Sequence, residues 1–261
     1  MIPRALTIAG SDSCGGAGLE ADLKVFAALG VYGACAVTAV TAQNSTGVIA
    51  SHELPAAVVA QQIDAVLDDV GADAIKTGML SSAAIVEVVA ERLAAHAAQN
   101  LVVDPVIVAK DGTHLLTDGG VRAMHDKLVP LATLVTPNAP EAEALTGEPV
   151  SGAEGAARAA RALVEMGAKA ALVKGGHLPG AAVDVLWDGR ELATLESPRL
   201  PGPPVHGTGC VLAAAITAYL ARGEALTAAI AKAREFLRRA LADTFSTGGS
   251  FRLFAPFPGQ D

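Results

Sequence analysis

Short apolar runs alternate with longer stretches of helical period along almost the whole chain, and this alternation restricts the fold more than any single motif does. Residues 5–9 (ALTIA) predict a buried strand ending at Gly10, and Gly18–Leu29 predicts a helix with Leu19, Leu23, Phe26 and Ala27 on one face. Further strands are expected at 34–40, 72–76, 101–103, 133–136 and 170–174, with helices near 56–69, 82–98, 119–129, 139–146 and 154–166 between them. Two runs, 182–187 and 191–196, flank Asp188-Gly189-Arg190 and predict a hairpin on the sheet edge. Helices near 208–221 and 224–242 complete the pattern. Strands alternating with helices imply right-handed βαβ units, hence an α/β/α sandwich with a mostly parallel sheet covered on both faces. No linker or repeat period divides the chain, so residues 1–261 read as one domain. The stretch 197–206 (SPRLPGPPVH) reads as an active-site loop placed like a lid. In such sheets ligands bind beyond the carboxyl ends of the strands.

Charge narrows the partners. The formal net charge of −8 argues against nucleic acid and against an anionic membrane surface. An anionic substrate would need local positive groups that outweigh this field. The apolar run near the N-terminus is too short for a signal peptide, and no uninterrupted apolar stretch reaches membrane-spanning length, so a cytoplasmic protein is expected. The cysteines, Cys14, Cys35 and Cys210, are sparse and lack CxxC spacing, which argues against a disulfide framework and a zinc site. Cys35 is expected to be a small buried hydrophobe.

Several polar constellations fall at predicted strand ends. Gly10-Ser11-Asp12-Ser13-Cys14-Gly15-Gly16-Ala17-Gly18 joins the first strand to the first helix, where glycines admit close backbone approach and a helix start offers free N–H groups. It matches neither the Walker nor the dinucleotide spacing, and a tight capped connection explains it equally well. Thr41-Ala42-Gln43-Asn44 follows the second run. Gln43 offers an acceptor and two donors on a planar amide, which suits a nitrogen heterocycle, although a polar turn is the plainer alternative. In Lys76-Thr77-Gly78-Met79-Leu80, Met79 lines either an apolar slot or the core. Asp104-Pro105-Val106 places an acid where a magnesium-shell group or an ordinary turn starter would sit. Asn138 and Glu141 have capping-box spacing, so structural capping is a full alternative for both. Lys174, in Lys174-Gly175-Gly176-His177, is placed to meet phosphate.

The segment His206-Gly207-Thr208-Gly209-Cys210 stands out. Consecutive small residues at a helix start leave several amides unpaired, which makes an anion hole for a transferring phosphoryl group. The alternative is a plain N-cap by Thr208 followed by a buried Cys210.

Taken in order, GSDSCGGAGLEADLKVFAALGVYG (10–33), TAVTAQNSTGV (38–48), KTGML (76–80), DPVIVAKDG (104–112), LVTPNAPEAEALTG (134–147), LVKGGH (172–177) and HGTGC (206–210) resemble the ribokinase-like superfamily, and within it the hydroxymethylpyrimidine/phosphomethylpyrimidine kinase branch of thiamine biosynthesis. The resemblance runs from about residue 5 to residue 240. It implies ATP and magnesium as cofactors and two phosphorylations of 4-amino-5-hydroxymethyl-2-methylpyrimidine, to the monophosphate and then the pyrophosphate. It implies that Gln43 hydrogen-bonds the pyrimidine and that Gly10, Ala17, Thr41, Met79 and Val106 line its pocket. Asp104 and Glu141 would hold magnesium, in part through water, while Lys174 and Lys232 would meet ATP phosphates. Gly207, Thr208, Gly209 and Cys210 would form the anion hole, with Cys210 in the catalytic position. Most of the superfamily is known for GAGD with an aspartate base, whereas this branch resembles it with GTGC. A helix N-terminus lowers a thiol pKa, so a thiolate base is expected. Relatives of this kind are often dimers, which implies a homodimer. Two departures stand out: Cys14 replaces a usual glycine, and the tail GGSFRLFAPFPGQD lacks the histidine-containing ending of the branch. Pyridoxal kinase is the competing enzyme reading, because both substrates are flat heteroaromatics with a hydroxymethyl arm. A non-catalytic pyrimidine sensor and a sugar kinase are weaker alternatives.

Overall fold

The strand ends converge because six parallel strands stack in one sheet. The computed structural model describes residues 1–109, 112–175, 182–197, 203–249 and 251–257. β1 (Arg4–Ala9) lies between β2 (Tyr32–Val37) and β5 (Ala74–Thr77), and the sheet continues through β6 (Leu101–Val103), β7 (Leu134–Val135) and β8 (Ala171–Val173). All of these pairings are parallel. The antiparallel hairpin of β9 (Ala182–Trp187) and β10 (Leu192–Ser197) closes one edge, as the sequence predicts. Strands β1, β5, β6 and β7 are almost wholly buried, which is why they read as continuous apolar runs.

Two apolar clusters sandwich the sheet. One packs α2 (Ala56–Asp69), α3 (Ala83–Ala95), α5 (Ala139–Thr146) and α6 (Ala153–Glu165) on one face, through residues such as Ile63, Val89, Leu145 and Leu163. The other packs α1 (Gly18–Ala28), α7 (Thr208–Ala221) and α8 (Leu226–Ala242) on the opposite face, around Phe26, Ile216 and Phe236. α7 is buried along nearly its whole length, so its apolar residues show no one-sided stripe.

Four expectations need correction. The run 34–40 is two elements: β2 ends at Val37, and β3 (Ala39–Asn44) leaves the sheet to pair with β4 (Gly47–Glu53) as a separate antiparallel ribbon. Gln43 therefore sits on a strand and not on a capping turn. The helix expected at 119–129 is a short α4 (Asp118–Ala123) that widens over 124–128 and tightens over 129–131 around Pro130. Finally, α1 buries Leu19, Asp22, Val25 and Phe26, while Leu23 is half-buried and Ala27 exposed. The buried face is rotated because Asp22 turns inward. Cys35 is half-buried on the edge strand β2 and not deep in the core. Of the loop 197–206, residues 198–202 lie outside the described residues, and so does most of the KGGH segment after Gly175. The end of that loop is tied down: Val205 bridges Arg252, and the His206 N–H bonds to Arg252 O beside β12 (Arg252–Phe254), which pairs with β11 (Thr244–Ser246). Among the described residues no helix is long and apolar enough to cross a membrane.

Candidate active site

The foot of α7 meets the ends of β6 and β8. Gly207 adopts φ 78° at the start of the helix, and a Cβ there would stand 1.8 Å from Gly16 O, so only glycine lets this turn pass the first loop. Thr208 is the first helical residue, with Gly207 as N-cap, and no side chain caps the helix. The plain Thr208 cap is thus not what forms, and the first-turn N–H groups stay free of side-chain acceptors.

Directly against that turn lie Lys174 and Asp104. A Cβ on Gly209 would be 3.1 Å from Lys174 Nζ and 3.8 Å from Asp104 Oδ2. Lys174 follows β8 and donates to Asp104 Oδ1 at 2.9 Å, and the Thr136 hydroxyl donates to the same oxygen at 3.1 Å. Burial alone would raise the Asp104 carboxyl, but Lys174 and Lys76 hold it below its ordinary value. Asp104 thus has one oxygen tied to cation and hydroxyl and its other facing Gly209.

Glu141 forms the helix cap that its spacing predicts and also sits among charged neighbours. Its N–H bonds to Asn138 Oδ1 and its Oε2 accepts the Asn138 N–H, completing a capping box at the start of α5. It also belongs to the Asp104–Lys174 electrostatic group: burial pushes its carboxyl up to about 7, against the pull of Lys174 and with a further push from Asp104.

Beneath Cys210 runs a buried ion pair that the sequence reading did not single out. Lys76 Nζ donates to Asp22 Oδ2 at 2.9 Å, both side chains are fully inaccessible, and the Thr7 hydroxyl donates to the same carboxylate oxygen at 2.6 Å. Asp22 Oδ1 makes no hydrogen bond. Burial lowers Lys76, yet Asp22, Cys210 and Asp104 together raise it, so it stays an ammonium. A signal was present: charged Asp22 and Lys76 fall inside stretches that otherwise read as core.

The lowered thiol pKa expected for Cys210 is corrected here. Burial pushes the thiol up to about 11; Lys76 and the Gly18 N–H pull it down, but Asp104 and Asp22 push the same way as burial. At rest it is a thiol.

A second group of predicted residues gathers around the first loop and the β3–β4 ribbon. The Thr41 hydroxyl donates to Ser11 O at 2.8 Å, and the Gln43 N–H bonds to the Ser13 hydroxyl at 2.8 Å. The Gln43 amide lies 3.3 Å from Thr41 Oγ1 and 3.1 Å from His206 Nε2. A Cβ on Gly10 would be 3.2 Å from Met79 Sδ, so these two form a common wall. Ala17 N–H bonds to Asp12 Oδ2 at 2.8 Å, and Val106 sits half-buried on the turn after β6. Asp12 and His206 were missed as organising residues.

Lys232 is not brought to the phosphate end. Its ammonium pairs with Glu224 and lies 5.8 Å from the Tyr219 ring. Tyr219 is about 17 Å along the helix from Thr208 at 1.5 Å per residue. Lys232 thus lies toward the far end of α7 from the Gly207–Cys210 turn.

A parallel α/β/α sandwich with a cation–carboxylate pair at an uncapped helix start defines a small-molecule phosphotransferase of the ribokinase-like fold. The phosphomethylpyrimidine kinase family model matches residues 12–253, and the chain belongs to that family. It is 49% identical over 247 residues to the hydroxymethylpyrimidine/phosphomethylpyrimidine kinase of Streptomyces coelicolor, covering 95% of this chain and 91% of that protein. It is also 49% identical over 237 residues to a thiamine biosynthesis bifunctional protein of Geobacter sulfurreducens; that match covers 90% of this chain but spans only 48% of the longer relative. Among solved structures, an ADP complex of Bacillus subtilis pyridoxal kinase superimposes with TM-score 0.91 at 36% identity, covering 98% of each chain.

Proposed function

We propose that this protein uses ATP to phosphorylate 4-amino-5-hydroxymethyl-2-methylpyrimidine, first to the monophosphate and then to the pyrophosphate, in thiamine biosynthesis. The observation that carries the reading is the Lys174–Asp104 pair set against Gly209, one residue before Cys210, at the open end of α7. Phosphoryl transfer asks chiefly for positioning and charge neutralisation, and this arrangement supplies both. The amides of Gly207 to Cys210 receive the charge that grows on the transferred group, and Lys174 neutralises the phosphates behind it.

The donor set fits magnesium. Asp104 and Glu141 offer hard oxygens, and Asp104 Oδ2 is not taken by Lys174 or Thr136. Asp104 is the direct holder in this reading; Glu141, committed to its cap, acts through water. Magnesium when bound neutralises charge between the phosphates of ATP.

At the other end, Gln43 presents its amide to the aminopyrimidine, with Thr41 and His206 fixing that amide, while Gly10, Met79, Ala17 and Val106 bound the ring. The thiolate form of Cys210 takes the hydroxymethyl proton as that oxygen bonds to the γ-phosphorus of ATP and the bond from that phosphorus to the departing ADP oxygen breaks. A high thiol pKa makes it a strong proton acceptor once ionised, and the Lys76 ammonium is the group that offsets the thiolate charge. A homodimer is supported by apolar Tyr32, Val40 and Ile49, exposed on the edge strand and ribbon; light scattering tests it.

A product assay with ATP, magnesium and hydroxymethylpyrimidine tests the function, read for mono- and diphosphorylated species. Absence of both, or a kcat/KM for pyridoxal above that for the pyrimidine, would overturn it.

A further inference from the structure

One cluster of chemistry-bearing side chains lies beside the substrate site and touches it only through His206. Asp12 and Cys14 of the first loop and His206 before α7 bring a carboxylate oxygen, a thiol sulfur and an imidazole nitrogen within 4.8 Å of one another. His206 Nε2 is 2.9 Å from Asp12 Oδ2, and Cys14 Sγ is 3.5 Å from the same oxygen. In a tetrahedral site with zinc–ligand bonds of about 2.0–2.3 Å, neighbouring donor atoms stand roughly 3.3–3.7 Å apart. The His206–Asp12 pair needs to open by roughly 0.4 Å to accept such an ion, and the Cys14–Asp12 pair already has its spacing.

The scaffold holds these atoms in place. Asp12 Oδ2 accepts the N–H groups of Gly16 and Ala17, and Oδ1 accepts that of Cys14. The Asp12 N–H is itself held by Glu20 Oε2 at 2.7 Å. His206 is pinned through its backbone to Arg252, and its ring stacks on Phe251 with centroids 6.1 Å apart. Locally, the Asp12 and Glu20 carboxylates outnumber the Lys24 ammonium, which is engaged with Gly15 O at 2.8 Å.

His206 also ties this cluster to Gln43. His206 Nε2 faces both Asp12 Oδ2, an acceptor, and the Gln43 amide nitrogen at 3.1 Å, a donor. One ring nitrogen cannot donate to the first and accept from the second at once. Turning the Gln43 amide over resolves the conflict without metal: its oxygen then accepts from Nε2–H, and its nitrogen donates to Thr41 Oγ1, whose own proton is committed to Ser11 O. A cation on the Nε2 lone pair resolves it differently, by taking the nitrogen from both partners. His206 is therefore shared between the cluster and the amide assigned to the pyrimidine.

We propose that Asp12, Cys14 and His206 bind a borderline-soft divalent cation of the zinc type, and that its binding weakens pyrimidine recognition by withdrawing His206 from Gln43. Magnesium, which prefers oxygen-only shells, is excluded by the sulfur and nitrogen donors. The inhibitory half rests on the role given to Gln43, whereas the binding half does not.

Cobalt(II) titrated into the intact protein is the probe, followed by displacement with zinc. The expected result is one equivalent bound with a sulfur-to-cobalt charge-transfer band. Cys14→Ala, which keeps the backbone N–H on Asp12 and the kinase activity with magnesium alone, should lose the band and at least tenfold in affinity. Cys35→Ala should keep both. In wild type, zinc at fixed Mg·ATP should raise KM for the pyrimidine at least tenfold; in Cys14→Ala it should not. No cobalt binding, or binding unchanged by Cys14→Ala, overturns the site. Binding through Cys14 with an unchanged pyrimidine KM overturns the inhibitory half, and with it the Gln43–His206 link, while the metal site stands.

Discussion

Replacing Cys210 by Ala should separate the two phosphorylations. In the first step the acceptor is an alcohol that must lose a proton. In the second it is a phosphate monoester, whose second pKa of about 6 leaves it largely ionised above neutrality. With the thiol pushed up to about 11, roughly one molecule in a thousand carries the thiolate at pH 8, and that fraction climbs about tenfold per pH unit. A positioned general base contributes about 10²–10⁴ in rate. The first step in Cys210→Ala is therefore expected to slow by about 10²-fold or more and to lose the rise with pH expected of wild type between about pH 7 and 9. The second step should stay within about threefold of wild type, because the anion hole is built from backbone amides that alanine retains. Rapid-quench single turnovers with each acceptor, at saturating Mg·ATP and several pH values, read both quantities. Equal slowing of the two steps, or a pH slope that survives in the variant, would show that the proton leaves by another route and refute the assignment.

Other consequences are independent of that one. Lys76→Met strands the buried Asp22 carboxylate and should cost about 3–5 kcal/mol in urea unfolding, with the double variant Lys76→Met/Asp22→Leu recovering much of the loss. Asp104→Asn frees Lys174 and removes the carboxylate facing Gly209, so the magnesium concentration for half-activation should rise about 10–100-fold with little change in pyrimidine KM. Glu141 is held at about 7 in the fold against 4.5 as a free carboxyl, so the folded state binds the extra proton, and its contribution to stability is present below about pH 4.5 and lost as pH rises through about 7. Glu141→Gln, which can keep the cap, should flatten that decline in a pH series of urea midpoints. Gly207→Ala places a methyl 1.8 Å from Gly16 O at a left-handed position, and both Tm and activity should fall sharply.

Much of this molecule is local in origin. The strands at 101–103 and 182–187 and the helices at 56–69, 139–146 and 208–221 fall where period and punctuation put them, because buried parallel strands and capped helices carry their signal in a few adjacent residues. The capping box of Asn138 and Glu141 and the open helix start at Gly207 are likewise readable from spacing. What neighbours in sequence could not supply is anything set by approach across the fold. β3 leaves the sheet to pair with β4, although Val37 and Ala39 are almost adjacent, because strand pairing is a non-local contact. Asp22 turns α1 inward only because Lys76, 54 residues away, is there to meet it. Lys232 ends beside Glu224 and Tyr219, and the Cys210 thiol is raised instead of lowered, because burial and the carboxylates of Asp104 and Asp22 outweigh the helix end and Lys76. The residues themselves set which groups this chain carries and where many of its helices and strands fall; tertiary packing decided strand partners and the charge state and company of side chains, since desolvation and Coulomb energy depend on distances that only the folded chain defines.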